Sequence, residues 1–372
     1  MIQRSACRVR HLVKSSILGS SKFKVGVMLK IALASCYELY DHLNIYVRRD
    51  LTYLPTCFLG VVSNGGDAEY ADVVWNNLGF GLMPADYMYT TKCSVGEKFV
   101  EGKVLPYGNI ELSPSAGVLN YGQGVIEGAK VCRGENGGIL LFRPEQNAIR
   151  MQVGAERMCM PSPSVELFVD ALKQTALANR RWIPPPGKGW LYIRPLLIGS
   201  GPILGVAPSP EYTFLLYASP FGNNYFKEGA LNLYIEDEYH RASRGGSGGV
   251  KSITNYSPVL KALTKAKGRG FSDVLYLDSL NKRYIEEASS SNIFVVKVEE
   301  RSILVEELMD VDEVFCTGTA VGVAPVQSIT YQDKRVEYDM CAKQVSVELL
   351  AKLVGIQKGL IEDTWGWVAK IY

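Results

Sequence analysis

The run Ser219-Pro220-Phe221-Gly222-Asn223-Asn224-Tyr225-Phe226-Lys227-Glu228-Gly229 limits the fold more than any other stretch of the chain. Proline withholds an amide, glycine loosens the backbone and paired asparagines favour turns, so neither a helix nor a central strand continues through it. A break here leaves room on each side for a domain of ordinary size within 372 residues. The expected organisation is a smaller α/β domain over 67–219, a linker over 220–229 and a larger domain over 230–372.

Both halves mix the two regular structures. Residues 143–160 read as a helix opened by Pro144, and residues 164–181 as another with Ser164 as its N-cap. The second must stop before Pro184-Pro185-Pro186-Gly187. Aromatic and branched residues over 190–198 and 212–219 mark strands. Beyond the linker come a strand over 231–235, a glycine-rich loop, a helix over about 258–267, a hairpin-like pair at 273–277 and 283–287, and a strand over 293–298. The fold class is therefore α+β.

Composition excludes several functions. With 40 basic and 38 acidic side chains, no strong field points to nucleic acid or an acidic membrane. Three histidines, His11, His42 and His240, give no basis for a zinc site, so no metal is expected. Eight cysteines without C-x-x-C spacing read as reduced thiols. The first 66 residues carry Arg4, Arg8, Arg10, Lys14, Lys22, Lys24 and Lys30 before the first acid, Glu38. Such a start fits an organelle transit peptide, a disordered basic tail or a misplaced start. The apolar run over 25–40 is broken by Lys30 and too short to span a bilayer.

Three segments carry chemistry. In Gly245-Gly246-Ser247-Gly248-Gly249-Val250-Lys251 a glycine-rich loop delivers a lysine. A phosphate-loop reading fails, because that motif needs Gly-Lys-Ser/Thr in succession and Val250 interrupts it. Glu286-Glu287-Ala288-Ser289-Ser290-Ser291 sets acids at a strand end before a small polar turn. Cys316-Thr317-Gly318-Thr319-Ala320 offers hydroxyls and amides after an apolar stretch. Lysine, carboxylate and an anion cup are the fittings that a pyridoxal-phosphate site requires. A lysine amine attacks only when neutral, which burial favours.

In this order the segments resemble the fold-type-IV pyridoxal-phosphate enzymes, and within them the plant-type branched-chain amino-acid aminotransferases. Further markers are Tyr70-Ala71-Asp72, Asn120-Tyr121-Gly122-Gln123-Gly124, Leu141-Phe142-Arg143-Pro144-Glu145, Gly154-Ala155-Glu156-Arg157-Met158 and Leu191-Tyr192-Ile193-Arg194-Pro195. The resemblance implies two domains with pyridoxal 5'-phosphate between them, a homodimer, and amino transfer between leucine, isoleucine or valine and 2-oxoglutarate. It implies that Lys251 holds the cofactor as a Schiff base and is the catalytic residue. Glu287 then faces the pyridine nitrogen, Tyr256 the ring oxygen, and Arg150 and Thr319 the phosphate. Glu286 reads as a solvated strand residue. Tyr192 and Arg194 would recognise substrate carboxylates, Arg194 the distal one of glutamate. Tyr121 and Ile126 would line the apolar pocket, and the Ala320 amide would help hold the substrate carboxylate. Left to sequence alone, Tyr192 and Ile126 would be placed in the core.

Asn77-Leu78-Gly79-Phe80-Gly81-Leu82-Met83-Pro84 with Phe226-Lys227-Glu228 looks closer to plastid members than to mitochondrial ones. One departure stands out. After Val298 the family continues with a strand, a loop and a helix whose first amides form half of the phosphate cup. Here Val298 runs straight into Glu299-Glu300-Arg301-Ser302-Ile303-Leu304-Val305, which matches the strand beyond that helix. The rival readings are a non-catalytic relative acting by dimerisation and a sister enzyme, a D-amino-acid aminotransferase or an aminodeoxychorismate lyase.

Overall fold

The computed structural model describes residues 10–11, 69–222, 230–296, 302–340 and 344–372. Most of the basic start, residues 223–229 of the linker and the junction after Val296 lie outside these residues, as do the expectations that rest on them.

Two eight-stranded sheets organise the chain. Along the sequence β1 (Arg10–His11) comes first and belongs to the second sheet. The first sheet holds β2 (Tyr87–Ser94), β3 (Lys103–Pro106), β4 (Gly124–Ile126), β5 (Ala129–Arg133), β6 (Ile139–Phe142), β7 (Gly189–Gly199) and β8 (Glu211–Gly222). The second holds β9 (Leu231–Glu236), β10 (Asp273–Leu277), β11 (Ile285–Ala288), β12 (Asn292–Val295), β13 (Val314–Gly318), β14 (Gly322–Tyr331) and β15 (Lys334–Glu337). The last strand, β16 (Val368–Lys370), returns to the first sheet and pairs antiparallel with β6. A cut at 220–229 therefore does not part the sheets cleanly: β8 runs on through Pro220 and Phe221 to Gly222, which are strand rather than linker, β1 belongs to the second sheet, and the C-terminal strand expected in the larger domain completes the smaller one.

Alternation along β7 is what positions the site. Leu191, Ile193 and Leu197 point into the first core with Tyr89, Phe168, Leu172 and Phe214, while Tyr192 and Arg194 take the opposite, half-buried face. Among the described residues five α-helices pack on the sheets: α1 (Gly117–Tyr121), α2 (Pro144–Arg157), α3 (Val165–Ala178), α4 (Leu260–Gly268) and α5 (Val345–Gln357). Pro144 opens α2, where its missing amide costs nothing. The Ser164 hydroxyl accepts from the Leu167 amide at 3.2 Å and starts α3. The two helices are shorter than the stretches 143–160 and 164–181 read from sequence, and β12 ends at Val295 rather than Val298.

The second core gathers Leu233, Ile235, Leu275, Ile293, Val314 and Val326 from its own sheet. A further apolar cluster spans both sheets, joining Phe142 of β6 to Phe294, Phe315, Leu349 and Leu353. Burial there ties the two sheets together.

Candidate active site

Strand β4 and the two residues after it touch most parts of the expected site. Val125 bridges antiparallel to Ser252, and the Ile126 amide donates to the Lys251 carbonyl at 3.0 Å. The Glu127 carboxylate takes Arg150 Nε at 2.5 Å and Nη2 at 2.6 Å. Gly128 lies so close to Tyr192 that a Cβ there would overlap the tyrosine hydroxyl. One extended segment thus sets the lysine, the arginine and the substrate-side tyrosine in a fixed relation.

The glycine-rich loop is held by polar side chains rather than by regular structure. Buried Asn255 donates to the carbonyls of Ser247 and Val250, both at 2.8 Å. The Ser252 hydroxyl accepts from the Thr254 amide at 3.3 Å. Gly122 closes α1 in the left-handed region (φ +65°), and a side chain there would meet Thr254. Loop flexibility, the property suggested by Gly245, Gly246, Gly248 and Gly249, is thereby removed where the lysine must point.

Lys251 is half-buried and its Nζ donates to Tyr256 Oη at 3.2 Å. Behind them sits Arg241, which sequence reasoning passed over. Its guanidinium lies 5.3 Å from the Tyr256 ring centroid and pairs with Glu287 at 3.6 Å, while its Nε donates to the Ser289 carbonyl at 3.0 Å. One buried cation so links the tyrosine, the acid expected at the pyridine nitrogen, and the polar turn. Arg241 Nη1 is buried without a hydrogen-bond partner among the described residues.

Thr319 and Ala320 occupy the turn between β13 and β14, beside Ser290 and Ser291 through the pairing of Asn292 with Thr317. Thr319 is half-buried, and its hydroxyl makes no hydrogen bond among the described residues. Arg150 is not in this turn; it approaches from α2, held by Glu127. Lys251, Tyr256 and Glu287 therefore form one contact network through Arg241, whereas Thr319 and Arg150 stand on separate elements.

On β7, Arg194 Nη2 donates to Tyr192 Oη at 3.3 Å, and its Nε is buried without a partner. Burial works against the Arg194 charge, but the hydroxyls of Tyr192, Tyr217 and Tyr256 hold its pKa above the usual value. A largely buried guanidinium with an idle donor is a carboxylate receptor in waiting. Phe80 and Phe221 pack edge-on against Tyr192, giving this side an apolar wall. Neither Tyr192 nor Ile126 is core; both are half-buried. Tyr121 is partly exposed, and its hydroxyl donates to the Leu204 carbonyl.

Glu286 corrects the sequence reading. It is half-buried rather than solvated, and its carboxylate accepts from the Ala242 amide at 3.2 Å. Burial, then the neighbouring Glu287 charge, push its carboxyl up to about 7 from 4.5. The folded state therefore holds this proton more tightly than the unfolded chain. Glu286 favours folding most at low pH and loses that contribution as pH climbs from about 4.5 through about 7. Glu286→Gln should raise the melting temperature at pH 8, with a gain of up to about 3 kcal/mol, and change little at pH 5. Melting curves at the two pH values check this; an equal shift at both would mean the charge is not what costs stability.

Two buried charges escaped the sequence reading. Arg241 left no periodic signal. Glu127 did leave one, an acid inside the otherwise apolar stretch from Val125 to Ala129, where an ionised group persists only with dedicated partners.

Residues 124–297 match the family model for amino-transferase class IV. The chloroplastic branched-chain-amino-acid aminotransferase 2 of Arabidopsis thaliana is 63% identical over 340 aligned positions, covering 82% of this chain and 87% of that protein. The mitochondrial branched-chain amino acid aminotransferase 1 of Humulus lupulus is 56% identical, with 85% and 88% covered. Among solved structures, the branched-chain amino acid aminotransferase from Escherichia coli superposes with a TM-score of 0.64 at 21% identity, covering 77% of this chain and 99% of that one. The branched-chain amino acid aminotransferase from Thermobaculum terrenum in its PLP form gives 0.64 at 17% identity, covering 78% and 99%. The Arabidopsis alignment takes in 82% of 372 residues, about 305, so about 35 of its 340 positions face no residue here. Identity at this level over most of both chains, together with the two-sheet fold, makes this chain a member of the plant branched-chain amino-acid aminotransferases of class IV.

Proposed function

We propose that this chain transfers the amino group between leucine, isoleucine or valine and 2-oxoglutarate, with pyridoxal 5'-phosphate held covalently by Lys251. The observation that carries this is the network of Lys251, Tyr256, Arg241 and Glu287, with Lys251 Nζ 3.2 Å from the Tyr256 hydroxyl. The orphaned Arg241 Nη1 and the unbonded Thr319 hydroxyl fit a ligand with a polar ring and a phosphate. When bound, the cofactor supplies an electron sink for the bond broken at the substrate α-carbon.

The chain's own residues supply the rest. Glu287, kept in place by Arg241, would meet the ring nitrogen and favour its protonated form. Tyr256 donates to the ring oxygen. Arg150 and Thr319 hold the phosphate. Lys251 would hold the cofactor and, as a neutral amine, would move the proton at the substrate α-carbon. Ile126 and Tyr121 shape the apolar pocket, the Ala320 amide holds the α-carboxylate, and Tyr192 with Arg194 receives the distal carboxylate of glutamate. One site then accepts both partners, an apolar side chain by burial and a second carboxylate by Arg194. Glutamate formed from leucine and 2-oxoglutarate, measured with excess cofactor, tests the reading; a chain that takes up the cofactor but forms none would overturn it.

Arg194→Ala should raise KM for glutamate far more than for leucine, because only glutamate brings a second charge. Loss of one largely desolvated, charge-assisted contact should cost about 2–5 kcal/mol. Steady-state kinetics with both amino donors check it, and equal losses would make Arg194 a structural residue.

Localisation to the plastid, with the mitochondrion as alternative, rests on chloroplastic and mitochondrial relatives. A homodimer is supported by Leu204 and Val206, almost fully exposed at 92% and 88% on the loop that Tyr121 contacts; a sedimenting mass of one chain would remove it. The absent strand-loop-helix after Val298 is supported by the unmatched alignment positions and by a class IV match that ends at residue 297.

A further inference from the structure

We infer that Glu127 is a positioning residue for the cofactor's phosphate, acting through Arg150. This rests on the reading of Arg150 as the phosphate arginine and assigns a role to a side chain outside that set. The Glu127 side chain is fully buried and Arg150 is 18% exposed, so the pair is shielded from water. Four donors surround the carboxylate: Arg150 Nε at 2.5 Å, Arg150 Nη2 at 2.6 Å, Asn147 Nδ2 at 2.9 Å and the Gly128 amide at 3.1 Å. Oε2 accepts three of these bonds and Oε1 the fourth, so donors from α2 and from the Gly128 backbone together hold the carboxylate against rotation.

The contact is bidentate through the Nε/Nη2 edge of the guanidinium. Because that group is planar and rigid, fixing one edge fixes the direction of the other, which points away from the carboxylate. Asn147 and Arg150 stand three residues apart on α2 and share a face. Asn147 Nδ2 also reaches the Gly128 carbonyl at 3.0 Å, pinning that face to the segment whose Ile126 amide holds the Lys251 carbonyl. The arginine's aim is so referenced to the lysine through three residues of backbone.

A buried ion pair adds little net stability, because desolvation offsets attraction. Its gain here is geometry: a long side chain that would lose rotamer freedom on binding the phosphate is already ordered. The opposite effect, a neighbouring anion that blunts the arginine's charge, would make phosphate binding weaker with Glu127 present than without it. The sign of the effect separates the two.

The test compares pyridoxal phosphate with pyridoxal, which lacks the phosphate, by spectroscopic titration of the full chain, with a melting curve for each variant. Glu127→Gln should raise Kd for pyridoxal phosphate about tenfold or more and leave that for pyridoxal within about threefold. Arg150→Met should do at least as much, and adding Glu127→Gln to it should cost no more than about a further threefold. Equal losses for both ligands would make Glu127 a general structural residue, and unchanged or tighter pyridoxal phosphate binding would make it a mere counter-charge; either overturns the inference. If Arg150→Met spares the preference for pyridoxal phosphate, the phosphate reading of Arg150 itself falls. Should Glu127→Gln not fold, Asn147→Ala is titrated instead. It should give a smaller loss confined to pyridoxal phosphate, and no such selective loss would overturn the inference equally.

Discussion

Replacing Lys251 with alanine should remove both the covalent hold on pyridoxal phosphate and all measurable amino transfer. The expected drop in turnover is at least about a thousandfold, or about 4 kcal/mol in the barrier, because in the proposed site the same amine would both tether the cofactor and move the substrate proton. Geometry makes this lysine difficult to replace. Its carbonyl accepts the Ile126 amide at 3.0 Å, its Nζ meets Tyr256, and Asn255 locks the loop on either side. Alanine leaves those backbone contacts intact, so folding should survive and the loss should be chemical. Borohydride reduction followed by peptide mass analysis provides the check. A trapped adduct in Lys251→Ala would assign the cofactor to another lysine and sink the site assignment, whereas its absence beside a normal melting curve supports it.

How much of this was legible without coordinates depended on the kind of signal. The alternation of Tyr192 and Arg194 against Leu191 and Ile193 is a period-two pattern, and β7 places them on opposite faces as that pattern demands. Pro144 and Ser164 marked helix starts because capping chemistry is local. Lys251 stood out through its glycines, although the side chain that actually orders the loop, Asn255, carried no mark. Long-range pairings were illegible. The return of β16 to the first sheet joins residues more than two hundred positions apart, and no local propensity encodes that pairing. Arg241 and Glu127 were missed for the same reason: each is defined by partners distant in sequence, Glu287 and Arg150. Glu286 was misread because strand ends are usually solvated, while here the amide of Ala242 folds over it. Local signals in the sequence picked out the proposed chemical residues; the contacts that hold Lys251, Glu287 and Arg150 in place appear only in space.

Inserting the strand-loop-helix of an intact relative between Val298 and Glu299 should convert a weak cofactor site into a tight one. A helix start offers unpaired amides and a favourable dipole together. Without it the phosphate in the proposed site would rely on Arg150, two of whose five N–H donors serve Glu127, and on Thr319. Each lost hydrogen bond to a charged acceptor costs about 1.5–3 kcal/mol. Two such losses amount to about 3–6 kcal/mol, or about two to four orders of magnitude in Kd. Lys251, Tyr256, Arg241 and Glu287 do not depend on that unit for their contacts, so ring recognition persists and the cofactor can still be tethered. The sheet bears a second consequence. On the side away from β13, β12 has only the two-residue β1 as a partner among the described residues, so a strand that should be covered is poorly paired. The unrepaired chain should therefore lose cofactor on dialysis, regain activity when cofactor is added in excess, and melt at a lower temperature than the repaired one. Dialysis followed by absorbance, turnover and melting of the two chains side by side decides the matter. If the unrepaired chain keeps one cofactor per subunit through dialysis and matches the repaired chain in rate, the phosphate needs no helix start, and Arg150 with Thr319 suffices.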